Sequence, residues 1–253
     1  RSRPGREMGA EAEAASPVEE TFDDWCGVGL LSLAWACAFS TLTVAIATIS
    51  LAAQPLTTSV AVTTLPLTCI FYCTGLANLA LPLEVMRLGR RGTYLLGAAM
   101  GVLGCGSCTV AMYVESFALL CAGGSLLGMA MAHAQNYRFA SILLAPSNPP
   151  QAISCVLAGG VIGAVVGPGG LARARDLFAI DFVGVYVLCM GMHIIAMCIL
   201  CFVKFPSADA INKAGSEPLP PPRSLAQLFA QPRCWVATFA VLMAYTIMVL
   251  VMA

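Results

Sequence analysis

The chain has 253 residues, 59% of them hydrophobic and only 10% charged, and its mean hydropathy is +0.84. An ordinary soluble domain carries roughly 25% charged residues, so a water-exposed globular surface is excluded and the expected surroundings are a lipid bilayer. Basic and acidic residues balance at 13 each, which leaves no net charge to attract a polyanion, and no nucleic-acid partner is expected.

Residues 1–26 hold seven of the acids: Glu7, Glu11, Glu13, Glu19, Glu20, Asp23 and Asp24. This polar, Ala- and Glu-rich stretch reads as a disordered cytoplasmic tail. It is no signal peptide, because its charge is mostly negative, the apolar run after it is too long for an h-region and no small-residue cleavage site follows. Seven apolar runs then reach the roughly 20 residues needed to span a hydrocarbon core as helix. They are predicted near 27–51, 59–83, 93–114, 117–137, 151–171, 180–203 and 234–253. None alternates polar and apolar residues as a barrel strand would.

The connections carry a charge bias. Arg87, Arg90, Arg91, Arg138, Lys204, Lys213, Arg223 and Arg233 fall in loops on one side, and only Arg173 and Arg175 on the other. The positive-inside tendency therefore places the N-terminus in the cytoplasm. The longest connection, 204–233, contains Pro218, Pro220, Pro221 and Pro222 and reads as a cytoplasmic linker. Six helices (27–203), a long linker and one further helix (234–253) make the layout of a protein built from two six-helix halves with a substrate site between them. The chain opens at Arg1 and stops at Ala253 inside an apolar run, so a longer protein is expected, with the second half of the same transporter as a partner. The expected fold class is an all-α polytopic transmembrane helix bundle.

The twelve cysteines include two C-x-x-C spacings, Cys105/Cys108 and Cys198/Cys201. Both lie in apolar runs with no second pair in a polar loop, so they read as small buried apolar side chains rather than metal ligands. No nucleotide loop, metal-ligand cluster or catalytic triad is recognisable. Neither an enzyme nor a bound cofactor or metal is expected.

Between the second and third runs stands Pro82-Leu83-Glu84-Val85-Met86-Arg87-Leu88-Gly89-Arg90-Arg91-Gly92. Its Arg87, Gly89, Arg90 and Arg91 resemble the major facilitator loop pattern Gly-x-x-x-Asp-Arg-x-Gly-Arg-Arg, with Pro82 at the glycine position and Met86 at the aspartate position. A glycine permits a sharp turn there, and arginines can bridge to helix C-termini or carboxylates. The resemblance implies a loop that latches the outward-facing state. In the fifth run, Gly159, Gly163 and Gly167 line one face at four-residue spacing and Pro168 follows. Such a face admits close helix approach, and the segment is similar to the fifth-helix motif of major facilitator antiporters. With Gln135-Asn136-Tyr137-Arg138-Phe139 and Ala152–Gly160, the stretch 27–203 resembles a poorly characterised branch of the major facilitator superfamily found in bacteria and photosynthetic eukaryotes.

The predicted spans otherwise lack acids and bases. Asn78, His133, Gln135, Arg138 and His193 are the polar candidates for a cavity or inner gate, with Gln54, Thr63 and Asp181 nearer the helix ends. Two functions of different class follow. One is a secondary transporter that moves a small molecule, with a coupled proton or ion, by alternating access. The other is a non-transporting seven-helix receptor or scaffold, whose usual outside N-terminus runs against the charge bias.

Overall fold

A computed structural model describes residues 22–174, 177–206 and 230–252. Most of the predicted tail and linker, together with Arg175, Lys213, Arg223 and Ala253, lies outside the described residues. Those described form helices α1 (Phe22–Ala53), α2 (Leu65–Tyr113), α3 (Phe117–Gln135), α4 (Tyr137–Leu144), α5 (Pro149–Ala174), α6 (Val183–Phe202) and α7 (Pro232–Met252), with two short 3-10 turns, Gln54–Leu56 and Val60–Val62. No strand occurs among the described residues. Proline stands at the start of α2 as Pro66 and opens α5 and α7 as Pro149 and Pro232, where a missing N–H costs nothing. Ser116 caps α3, its hydroxyl accepting from the Leu119 N–H. Hydroxyls inside the helices return their hydrogen to the preceding turn: Thr48 to the Val44 carbonyl, Ser125 to Cys121 and Thr109 to Cys105. In an apolar solvent that is the cheapest way to satisfy them.

Five of these helices are long and apolar enough to cross a membrane. One of them, α2, has 49 residues and would measure about 74 Å if straight, more than twice a bilayer core of about 30 Å. It is not straight. Gly89 breaks it with φ 70° and ψ 168°, and the two arms fold back side by side against α3. Thr74 of the first arm donates to the Gly128 carbonyl. A Cβ on Gly104 of the second arm would lie 3.0 Å from the Leu127 nitrogen, one residue away on α3. The loop expected between 84 and 92 is thus helical on both sides of a single residue, and Glu84 belongs to a helix. The fourth predicted run also differs. It breaks at Asn136, and α4 continues the chain to Leu144.

Two core clusters mark the two ends of the bundle. At one end Val28, Leu31, Tyr94, Tyr137, Leu144, Val156 and Leu200 pack together, and this end also holds the Gly89 turn, since Arg91 donates to the Cys201 carbonyl in the last turn of α6. At the other end Ile49, Ile70, Met112, Leu120, Val183 and Tyr186 pack together. Arg87, Arg90, Arg91, Arg138 and Lys204 gather at the Gly89 end, whereas Glu115, Arg173 and Asp181 belong to the opposite one.

Every described cysteine is a free thiol. Cys105 and Cys108 are buried as expected, but Cys198 and Cys201 are exposed on α6, on a face that no described helix covers. Among the described residues no group of three or more His, Cys, Asp or Glu could hold a metal.

Candidate functional site

The α1–α5 seam sets the position of the site. Gly159, Gly163 and Gly167 are buried on one face of α5, while Val161, Ile162, Val165 and Val166 between them are exposed. A Cβ at Gly163 would come within 2.5 Å of the Ala36 carbonyl oxygen, and one at Gly167 within 2.7 Å of Thr43 Oγ1. At Gly159 it would collide with the Ser32 carbonyl. Backbone thus meets backbone, and two hydroxyls of α1 use the approach: Ser32 donates to the Cys155 carbonyl at 2.8 Å, and Ser40 reaches the Gly163 carbonyl at 3.1 Å. Pro168 is exposed.

The neighbouring Gly160 positions an aromatic. A Cβ there would lie 2.6 Å from Trp35 Nε1, so the absence of a side chain lets the indole settle against α5. Trp35 and Phe39, one turn apart on α1, bring their rings to 5.2 Å between centroids. Together with Phe71 on the first arm of α2, Gln135 at the end of α3 and Arg138 on α4, they line a cavity of about 190 Å³ whose remaining wall is Leu42, Ile46 and Met131. The buried Nε of Arg138 meets no hydrogen-bond partner among the described residues, and the guanidinium carbon stands 4.9 Å from the Phe139 ring centroid. The lining thus combines aromatic walls with an amide and with a cation whose Nε has no hydrogen-bond partner among the described residues. Its volume lies below the roughly 300 Å³ at which drug-sized ligand pockets begin.

The polar residues singled out in the sequence do not all meet here. Gln135 and Arg138 line the cavity. Asn78 is exposed on the first arm of α2; it donates to the Thr74 carbonyl and accepts from Asn136 at 3.3 Å. His193 packs against Gly101 and lines a separate, water-sized cavity of about 20 Å³ beside Thr41 and Leu42. His133 is buried against Gly97 and meets Glu84, Nε2 to Oε2, at 2.6 Å. Of the arginines about Gly89, Arg87 and Arg91 are exposed. Gln54 is exposed in the first 3-10 turn, Thr63 precedes α2, and Asp181 is exposed in the turn before α6.

Sequence reasoning missed Trp35, Phe39 and Phe71, because an aromatic in an apolar helix looks the same whether it faces lipid or a cavity. The four-residue spacing of Trp35 and Phe39 opposite a glycine-rich helix was the available signal. Glu84 was missed because it stands among loop-like arginines.

Five apolar helices of membrane-spanning length make this an integral membrane protein, helical throughout its described core. No family model matches it, and no solved structure does. Over 229 residues it is 27% identical to the riboflavin transporter RfnT of Brucella anthropi, an alignment that takes in 88% of this chain and 56% of that protein. The chain spans about half the length of the curated relative it matches.

Proposed function

We propose that this chain is the first six-helix half of a secondary transporter of the major facilitator type, followed by the first helix of the second half, and that it carries a flat heteroaromatic molecule such as riboflavin by alternating access. The observation that carries the reading is the Trp35–Phe39–Phe71 chamber closed by Gln135 and Arg138. The riboflavin ring system is flat and apolar on its faces, and one edge alternates carbonyl oxygens with an N–H. Aromatic walls suit the faces, and an amide with a guanidinium suits the edge. The similarity to a riboflavin transporter supports the same substrate class.

In this reading residues 1–26 and 204–233 are cytoplasmic, residues 27–203 form the first bundle and 234–253 begin the second. The five basic residues at the Gly89 end support that orientation. The segment Arg87, Gly89, Arg90 and Arg91 acts at the cytoplasmic gate. The seam of Gly159, Gly163 and Gly167, loosened near Pro168, is where α1 and α5 move as one wall of the site.

The test is riboflavin binding to the full-length protein, followed by quenching of flavin fluorescence. Trp35→Ala removes a stacking face and is expected to cost about 1–2 kcal/mol, a loss of affinity of roughly tenfold. Leu103→Ala, on the exposed surface of the second arm of α2, is expected to leave affinity unchanged. Equal affinities of wild type and Trp35→Ala would remove the chamber as the substrate site.

A further inference from the structure

The Glu84–His133 contact lies outside the chamber and has no part in holding the ring. His133 is 1% exposed and Glu84 24%. Both imidazole nitrogens are engaged: Nδ1 lies 2.8 Å from the Met129 carbonyl oxygen, and Nε2 lies 2.6 Å from Glu84 Oε2. A carbonyl oxygen can only accept, so Nδ1 carries a hydrogen and donates it. In a neutral ring Nε2 then holds a lone pair, and a carboxylate offers it only another. Two acceptors do not sit 2.6 Å apart in a buried place unless a proton lies between them. That proton belongs either to an imidazolium facing a carboxylate or to a carboxylic acid facing an imidazole, and both forms hold the same number of protons. The contact therefore requires one bound proton, and its loss leaves a net negative pair with nothing to hold it closed.

The surrounding helices enclose the ring more fully than the carboxylate, the side chains being 1% and 24% exposed. A Cβ at Gly97, on the second arm of α2, would lie 2.6 Å from His133 Cγ, so the imidazole is wedged between that arm and α3. Other titratable or charged side chains on the helices packed about the pair include Arg87, Cys73, Tyr72 and Cys69 on the first arm, Arg90, Arg91, Tyr94, Cys105, Cys108 and Tyr113 on the second, Cys121 on α3, Tyr137 and Arg138 on α4, Tyr186, Cys189, His193, Cys198 and Cys201 on α6, and Cys26 and Cys37 on α1. Arg91 is bound to the Cys201 carbonyl, Tyr94 lies edge-on to Tyr137, and His193 packs against Gly101. Among the described residues, Glu84 alone brings a charge within ion-pair distance of the His133 ring.

We propose that Glu84 and His133 form a proton-binding site that clasps the first arm of α2 to α3, and that its loading and unloading couples transport to a proton gradient. The coupling rests on the transporter reading above; the proton-binding site does not. The two elements the proton joins are also walls of the chamber. The first arm carries Phe71, and α3 carries Gln135 two residues beyond His133. With the proton bound, the arm is held to α3 and the chamber keeps its shape. With the proton released, Glu84 parts from the ring and the Phe71 wall is free to shift.

Glu84→Gln keeps a hydrogen-bond donor opposite Nε2 with no proton to exchange, so it imitates the loaded pair permanently. Full-length protein in liposomes is assayed with radiolabelled riboflavin in two modes. Accumulation driven by a pH gradient is expected to fall by about tenfold or more in Glu84→Gln and His133→Gln, while counterflow in Glu84→Gln stays within about threefold of wild type. Gradient-driven accumulation that survives in Glu84→Gln overturns the coupling. So does a wild type that performs counterflow and ignores the gradient, although the transporter reading would then stand. A wild type without riboflavin counterflow counts against that reading, and the proton site is then decided without substrate, by nitrogen NMR of labelled histidine with His133→Gln as the assignment. Nδ1 is expected to remain protonated throughout a pH series, and the Nε2 signal to differ between wild type and Glu84→Gln. A bare Nδ1, or identical Nε2 signals in the two proteins, overturns the site itself.

Discussion

Two seams of the bundle use glycine for opposite ends. Where α5 lies on α1, Gly159, Gly163 and Gly167 bring backbone against backbone, and the groups that gain from it are neutral hydroxyls donating to carbonyls. Where α3 packs on the two arms of α2, Gly123 and Gly128 give an equally close approach, a Cβ at Gly123 falling 2.9 Å from the Gly104 carbonyl oxygen. Yet that second seam also holds an imidazole and a carboxylate. Among the described residues the first seam holds no ion pair, and it yields to bulk. The second yields to bulk and to the loss of one proton. Close packing by small residues therefore says that two helices touch, and it does not say whether the contact is permanent.

The largest expected effect separates bulk from position. Gly163→Leu must push the Ala36 carbonyl aside, and overpacking of this kind costs about 3 kcal/mol. Val165, two residues on, is 73% exposed, so Val165→Leu is expected to cost nothing measurable. Thermal unfolding of both variants, at equal membrane expression, checks this, and transport by the full-length protein should fall in the same order. Equal stability of the two variants would mean that the α1–α5 seam is not closed as described.

Gly89→Val comes next. Nothing lies within 4 Å of a Cβ there, so the cost is backbone strain alone, about 1–3 kcal/mol for a side chain forced into a region of φ and ψ that essentially only glycine adopts. Unlike Gly163→Leu, it should lower the melting temperature and leave the α1–α5 contacts untouched, which cysteine cross-linking between those helices can verify.

The smallest effect concerns the arginines at the turn. Arg91 bonds a carbonyl at the C-terminus of α6 and is exposed, a contact worth about 0.3–1 kcal/mol. Arg91→Ala is expected to lose that much, and Arg90→Ala and Arg223→Ala less, in a side-by-side melting series. If all three melt alike, the segment acts through charge alone.

The long apolar helices were legible because a hydrophobic run of about 20 residues fits little except a membrane-crossing helix. The buried face of α5 was legible too, since glycines at four-residue spacing repeat the helix turn. The sequence could not rank Arg91 above Arg87 and Arg90, because the carbonyl it serves is 110 residues away. Nor could it place Glu84. A carboxylate followed by three arginines in seven residues looks like a water-exposed loop, whereas helix continues on both sides of Gly89 and carries the acid back beneath His133. Long-range pairing of this kind leaves no local trace. His193, an equal candidate by residue type, proved to face a different cavity.

Gly89 also sets a ratio. Glu84 stands five residues from it and Phe71 eighteen, distances of about 7.5 and 27 Å along a helix. If the first arm swings about that single residue as a rod, the displacement at the far point is roughly 3.6 times that at the near one. Parting the carboxylate from the imidazole by about 1 Å, the difference between a hydrogen bond and none, would then carry the Phe71 ring by close to 4 Å, about the thickness of an aromatic ring.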